Sequence, residues 1–430
     1  MKKVLIITYY WPPSGGAGVQ RWLKLSKYLA LNKVEVHILS VNPKVASYTS
    51  IDESLLKDIH PDIKVHLSDS FEIINYYSKL VGKENVPTAG FSNVNNESLL
   101  QKIANTVRSN LFIPDPRVGW NNYAIKKAKS IIKSYNIKNV ITTSPPHSTQ
   151  LIGRALKKLM PINWIVDFRD PWTDIYYYKL LRHSYLSNKI NKQFEKSVIE
   201  ECDSIITVSY GFKNIFKSKS NQEISTKVTV IPNGYDKQDV ISVSKNRPLD
   251  DEFIICYTGT ISNQYNPYEL LEALEQCTSK NIKLQLVGSV SNEIKNYLKK
   301  LKIQLEIIPT VPHNQINQYQ KNADLLILLI PNVHLAEGIT PGKLFEYLAS
   351  GNQTLALGPQ KSDVNTILNE CNGGKSFDRS NKDDITEFIE HLVLLKKSNK
   401  LPEINENVLK KYSRDQQAIQ IKKLLQSDSL

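Results

Sequence analysis

The chain has 430 residues, 41% of them hydrophobic and 23% charged, a balance that suits two folded domains and excludes fibrous and low-complexity classes. Its formal net charge is +13, from 55 Lys and Arg against 42 Asp and Glu, so the partners it favours are acidic: nucleic acid, an anionic membrane surface or phosphorylated small molecules. Its four cysteines, Cys202, Cys256, Cys277 and Cys371, lie too far apart for thiolate metal or redox motifs and read as reduced, buried thiols.

The first stretch, KVLIITYY, is an apolar, β-rich run. Its flanking lysines imitate a signal peptide, but the run is short, contains aromatic residues and lacks a small-residue cleavage site, so a strand is expected. A Gly-rich turn follows, then helical spacing over 19–31, then the strand VEVHILSV. Residues 72–115 are polar and Asn-rich and read as an insertion. The alternation resumes with NVITTS and a helix opening at His147, NWIVDFRD and a long helix ending near Cys202, SIITVS with GFKNIFKS, and KVTVIPNG. Short apolar strands separated by helices predict a parallel sheet covered on both faces. A first domain is therefore expected over 1–235 and a polar linker over 236–251. A second α/β series over 252–404 runs FIICYTGT, KLQLVGS, LEIIPT, DLLILLI and QTLALG with helices between, and 405–430 reads as a basic terminal helix returning across the domain boundary. No run of about 18 uncharged apolar residues predicts a membrane span.

Open parallel sheets place ligands at the carboxyl ends of their strands, so the residues there carry the chemistry. After the first strand, PPSGGAGVQRW offers Gly15, Gly16 and Gly18 for a tight turn and a helix amino terminus for an anion. HILSVNP supplies no acidic residue for a ribose at the next strand end, which disfavours a nicotinamide dehydrogenase. TTSPPHST places His147 at another strand end, and VDFRDPW places Asp167, Arg169 and Asp170 at the next, a polar wall or a local ion pair. In the second half, Gly259 and Thr260 of YTGT repeat the pattern. In EGITPGKLFE, Pro341 and Gly342 open a helix and put the Lys343 cation in its first turn, which is unfavourable unless an anion is bound. Glu346 lies three residues on, on the same face.

In this order, PPSGGAGVQR, IPDPRVGW, SPPHST, VDFRDPW, IPNGYD, YTGT, LVGS, ADLLILLI and GKLFEYLASG cover nearly the whole chain and resemble the retaining GT-B glycosyltransferases of the large family 4 type, which includes bacterial capsule, lipopolysaccharide and exopolysaccharide sugar transferases. The resemblance implies two Rossmann-like, doubly wound domains facing across a cleft, with the nucleotide sugar held by the second and the acceptor by the first. It implies that Glu346 holds the ribose hydroxyls and that Lys343 with Gly342, Leu344 and the Gly259–Thr260 turn faces the diphosphate. Gly15, Gly16 and Gly18 would approach the donor from the first domain, with Arg169 or Arg21 adding charge. His147, Asp170 and Glu337 are the residues expected at the reacting sugar or acceptor hydroxyl. Two departures stand out: eight residues separate Glu337 from Glu346 where the family pattern has seven, and SNQYNP follows YTGT-Ile where relatives carry an Arg and a Lys.

The activity so implied is hexosyl transfer from a UDP- or GDP-linked sugar, with retention and without a metal or cofactor, to a glycan or lipid-linked acceptor. The expected location is the cytoplasm, at the inner face of the membrane. The basic, Tyr-rich stretch DIYYYKLLRHSYLSNKINK suits an acceptor or anionic membrane face, or simply a solvated helix. A nucleotide-sugar epimerase of the same fold is the alternative. A nucleic-acid-binding protein is disfavoured because the lysines are dispersed and no recognition motif is present.

Overall fold

A computed structural model describes residues 1–72, 106, 109–220, 223–241, 244 and 252–427. Most of the insertion expected at 72–115 and much of the linker expected at 236–251 lie outside these residues. The chain forms two compact units, Met1–Pro232 with Arg414–Leu430, and Asn233–Ser413.

The first unit is built on seven strands: β1 (Lys3–Ile7), β2 (Glu35–Val41), β3 (Lys64–Ser68), β4 (Asn139–Ser144), β5 (Asn163–Phe168), β6 (Ser204–Thr207) and β7 (Val228–Val230). They pair in parallel in the order β3-β2-β1-β4-β5-β6-β7. β4 and β5 are buried along their whole length, as a strand covered on both faces must be. One core joins Val4, Ile6, Ile38, Ile141 and Ile165 to Trp22, Leu25 and Leu29 of the helix Ala17–Leu31. Ala418 and Ile421 of the terminal helix Arg414–Leu424 complete it.

The second unit has six strands, β8 (Phe253–Thr258), β9 (Ile282–Val287), β10 (Gln304–Ile308), β11 (Leu325–Leu329), β12 (Gln353–Leu357) and β13 (Gly374–Phe377), all parallel in the order β10-β9-β8-β11-β12-β13. Side chains alternate faces along a strand, so the apolar run of β11 divides between two cores. Leu325, Ile327 and Leu329 enter one, and Leu326 and Leu328 enter the other.

The unit boundaries differ from those read in the sequence. Residues 233–241 fold with the second unit: the Tyr235 N–H donates to the Tyr412 carbonyl at 3.3 Å, and Lys237–Ile241 is a short helix rather than linker. Of the terminal stretch expected at 405–430, residues through Ser413 stay with the second unit, and Gln417 ties the remainder to the first by donating to the Pro232 carbonyl at 3.0 Å. Polar composition in 236–251 hid this, because two neighbouring chain segments, not apolar periodicity, set the boundary.

A buried ion pair locks the first unit. Arg21 donates to Asp167 from Nη2 at 3.0 Å and Nε at 3.3 Å, and to the Pro232 and Ile231 carbonyls at 2.9 Å each. Asp167 also accepts from Trp22 Nε1 at 2.7 Å and Thr143 Oγ1 at 2.9 Å. One carboxylate thus joins β4, β5, the helix Ala17–Leu31 and, through Arg21, the chain leaving β7. Asp167→Asn leaves a buried guanidinium without its counter-charge, and urea denaturation is expected to show a loss of about 3–5 kcal/mol. Lys158→Ala, at a surface pair with Glu201, should cost less than about 1 kcal/mol. Equal losses would contradict the role given to the buried pair.

Candidate functional site

In the second unit Gly259, Lys343 and Glu346 lie around the carboxyl end of β8. Gly259 ends that strand with φ +120°, a conformation that L side chains rarely adopt. A Cβ there would lie 2.3 Å from Lys343 Nζ, so the glycine is what lets the lysine lie against the backbone. A Cβ on Gly288, after β9, would lie 2.3 Å from the Gly259 carbonyl oxygen, so the two turns also need glycine to pack together.

Lys343 belongs to the helix Gly342–Ser350, whose N-cap, Pro341, provides no side-chain acceptor and whose first turn carries no acid. Among the described residues the N–H groups of Gly342 and Lys343 find no acceptor, while that of Leu344 donates to the Pro341 carbonyl at 3.1 Å. A Cβ on Gly342 would meet nothing within 4 Å, so the helix end is open. The Lys343 ammonium sits 4.6 Å above the Tyr257 ring and donates to its hydroxyl at 3.3 Å; Tyr257 in turn donates to the Thr260 carbonyl at 2.7 Å. Burial pushes the Tyr257 phenol far up, so it stays a neutral acceptor for the lysine. A cation, two free N–H groups and the positive end of a helix dipole are the donor set for an anion with several oxygens.

Glu346, half-buried, accepts from Gln320 Nε2 at 3.4 Å. Gln320 also donates to Thr258 Oγ1 at 3.3 Å, and Thr258 bonds the Tyr347 hydroxyl. This chain from strand to helix positions the carboxylate. Sequence reading missed Tyr257, Gln320 and Tyr347; the one available signal was Tyr347 at i+4 from Lys343. The Leu344 side chain is buried in the core, which leaves only its backbone at the open helix start. Glu337, in the short 3₁₀ turn Ala336–Gly338, is exposed, and the Thr260 side chain is exposed too.

In the first unit, Gly16 has φ +88° and precedes the helix Ala17–Leu31, while Gly15 packs so closely that a Cβ would lie 2.9 Å from Ser50 Oγ. Arg169 donates from Nη1 to the Gly18 carbonyl at 2.7 Å, from Nε to that of Ser144 at 2.9 Å and from Nη2 to that of Pro145 at 3.1 Å. It ties the first turn of the helix Ala17–Leu31 to the end of β4 and the turn after it. Arg21 corrects another expectation: 1% exposed and bound to Asp167, it cannot reach a ligand.

His147 immediately precedes the helix Ser148–Leu159 and is only 8% exposed. Its ring stacks on Trp172 at 5.1 Å, and neither ring nitrogen has a partner. Asp115, outside the sequence-read site, accepts from the Ser148 N–H at 2.7 Å and hydroxyl at 2.9 Å and so anchors this helix start. Burial, with Lys219 and Arg169 adding to it, pushes the imidazole down to about 3. Asp170, half-buried after β5, moves the other way: burial raises its carboxyl against the pull of Arg169, with Asp167 adding to the rise. Burial and then Asp170 push the nearby Tyr177 phenol far up. Among the described residues no group of three or more His, Cys, Asp or Glu is placed to hold a metal ion.

Two family models match the chain: Glycosyltransferase Family 4 over residues 90–239 and Glycosyl transferases group 1 over 238–407. Solved structures share the fold along nearly the entire length. Sucrose-phosphate synthase from Thermosynechococcus elongatus is 13% identical with a TM-score of 0.62, covering 99% of this chain and 98% of its own. Anabaena HepE in complex with UDP and glucose is 12% identical with a TM-score of 0.60, covering 98% and 99%. The lipopolysaccharide outer core galactosyltransferase WaaB is 12% identical with a TM-score of 0.58, covering 99% of both. No curated protein matches the sequence.

A buried imidazole held neutral takes up its proton only when the chain unfolds, where histidine titrates near 6.5. The contribution of His147 to stability is therefore present above about pH 6.5 and is lost as pH falls toward about 3, with a slope of up to about 1.4 kcal/mol per pH unit. In ring-proton NMR of the folded protein the His147 signal should stay constant from neutrality to below pH 5. A midpoint near 6.5 would show that the ring is solvated.

Proposed function

Because the chain belongs to the GT-B glycosyltransferases of the family 4 type, we propose that it moves a hexosyl group, with retention and without a metal, from a UDP- or GDP-linked sugar to a growing, lipid-linked cell-surface glycan. The observation that carries the donor side is Lys343, laid against Gly259 at the open start of the helix Gly342–Ser350. As the sugar leaves, negative charge grows on the departing diphosphate, and fixed donors already aimed at it lower the barrier without reorganising. Lys343 and the N–H groups of Gly342 and Lys343 supply that charge stabilisation. Glu346, positioned by Gln320, accepts from the ribose hydroxyls, and the Gly259–Thr260 turn gives the phosphates close approach to backbone.

Retention fits a reaction in which the departing phosphate oxygen takes the acceptor's proton, so the protein positions and stabilises rather than attacks. His147, neutral and unpartnered, suits a sugar hydroxyl, donating from one nitrogen and accepting at the other. Asp170 suits an acceptor hydroxyl, and Glu337, exposed on its turn, suits a hydroxyl of the donor sugar. Gly15 and Gly16 form the backbone turn and Gly18 lies in the first turn of the helix that follows; Arg169, bound to the Gly18 carbonyl, suits a positioning role at this helix start. A bacterial polysaccharide, capsule or lipopolysaccharide acceptor at the inner membrane face remains the reading that the family resemblance favours.

Titration calorimetry with UDP and GDP tests the donor site. Lys343→Ala removes charge-assisted hydrogen bonds and should raise the dissociation constant by about 10- to 100-fold. Glu346→Ala should shrink the preference for the ribonucleoside diphosphate over its deoxyribose analogue. Wild-type affinity and preference in both variants would place the nucleotide elsewhere. Incubation with a nucleotide-sugar panel separates the two chemistries, since an epimerase alters the sugar with no acceptor present and a transferase requires one.

A further inference from the structure

We infer that the surface formed by residues 109–111 and 179–192 of the first unit binds an anionic lipid bilayer by lying in its interface. The helix Tyr185–Glu201 has an inverted polarity over its first turns. Its inward stripe is polar, with Ser187, Asn191 and Glu195 all buried. Its outward first turn is apolar: Tyr185 is 84% exposed and Leu186 64%. Leu180, just before it, is 48% exposed, and Leu111 is 71% exposed.

Hydrogen bonds hold these side chains to one surface. The Ser184 N–H donates to Asn110 Oδ1 at 2.7 Å, Asn110 Nδ2 donates to the Arg182 carbonyl at 3.2 Å, and Ser187 Oγ donates to the Ser109 carbonyl at 2.8 Å. Tyr178 stacks on His183 at 4.2 Å and fixes the turn between them. Single exposed apolar residues are commonplace, but four brought together on a supported surface mark an interaction site.

The charge names the occupant. Residues 176–194 contain Lys179, Arg182, Lys189 and Lys192 and no Asp or Glu. All four cations are exposed, and none forms an ion pair among the described residues. Leucine and tyrosine interleaved with long cationic side chains match a headgroup boundary, where the apolar parts sink and the ammonium and guanidinium groups reach lipid phosphates. No described helix is long and apolar enough to cross a membrane, so the mode is surface docking. The same connection starts at Arg169 and Asp170 and ends in this surface, which would bring a lipid-borne acceptor from the bilayer to the residues proposed to receive it. Vesicle binding itself needs no donor and does not rest on the transferase reading.

The test is co-sedimentation of the full chain with vesicles of equal parts phosphatidylcholine and phosphatidylglycerol, and with pure phosphatidylcholine. The protein should pellet with the anionic vesicles and be released by salt. Lys189→Glu with Lys192→Glu should weaken partitioning by about tenfold or more. Leu180→Ser with Leu186→Ser should weaken it as well, and both variants should keep the wild-type melting temperature and the wild-type transfer to a water-soluble acceptor. Wild-type protein left in the supernatant, or variants that pellet like wild type, would overturn the inference. So would a dimer that the leucine substitutions dissociate, since a second copy would then be the occupant.

Discussion

A parallel strand must hand its chain to a helix at its carboxyl end, and that constraint places every candidate group described above. The hand-over leaves helix N–H groups free and requires backbone to turn sharply beside other turning backbone. In the second unit, Gly259 and Gly288 answer the crowding, and the turn they leave is shallow enough for Lys343 to lie on it. A lysine at the start of a helix is electrostatically misplaced until an anion arrives. The Tyr257 ring and hydroxyl hold it there in the meantime, which keeps the cation in position at the cost of a modest cation–π contact and one long hydrogen bond.

The first unit meets the same constraint with buried charge. Asp167 and Arg21 fix the strands and the leading helix, and Arg169, two residues beyond Asp167, spends its donors on the carbonyls of two neighbouring turns. Adjacent charged residues in one short motif therefore do different work. Asp167 is part of the interior, Arg169 is a tether, and Asp170 is left half-buried with a raised proton affinity. His147 is the complementary case, an imidazole whose surroundings forbid the charge and leave both nitrogens unpartnered.

What the sequence made legible follows from how local each signal is. Strand and helix alternation, the glycine turns and the Lys343–Glu346 spacing depend on neighbours in the chain, and all could be read from it. Tyr257, Gln320 and Tyr347 could not, because their value comes from lying side by side across strands and helices far apart in sequence. Arg21 shows the opposite failure: a cation beside a glycine turn looked available to phosphate, and only the fold reveals that Asp167 has consumed it. Leu344 sits between Lys343 and Glu346 in the chain yet turns its side chain inward, as every third or fourth residue of a packed helix must. The unit boundary after Pro232 was hidden because it rests on pairing between Tyr235 and Ser413, residues with no local mark of it.

The central claim is that the start of the helix Gly342–Ser350 and the turn at Gly259 together receive a nucleoside diphosphate. Amide hydrogen exchange with and without UDP measures this at the N–H groups themselves. The account predicts slowed exchange at Thr260, Gly342 and Lys343 when UDP is bound, whereas the Gly259 N–H already donates to the Val287 carbonyl at 2.7 Å. UDP-dependent protection that bypasses these three amides and appears elsewhere would contradict it.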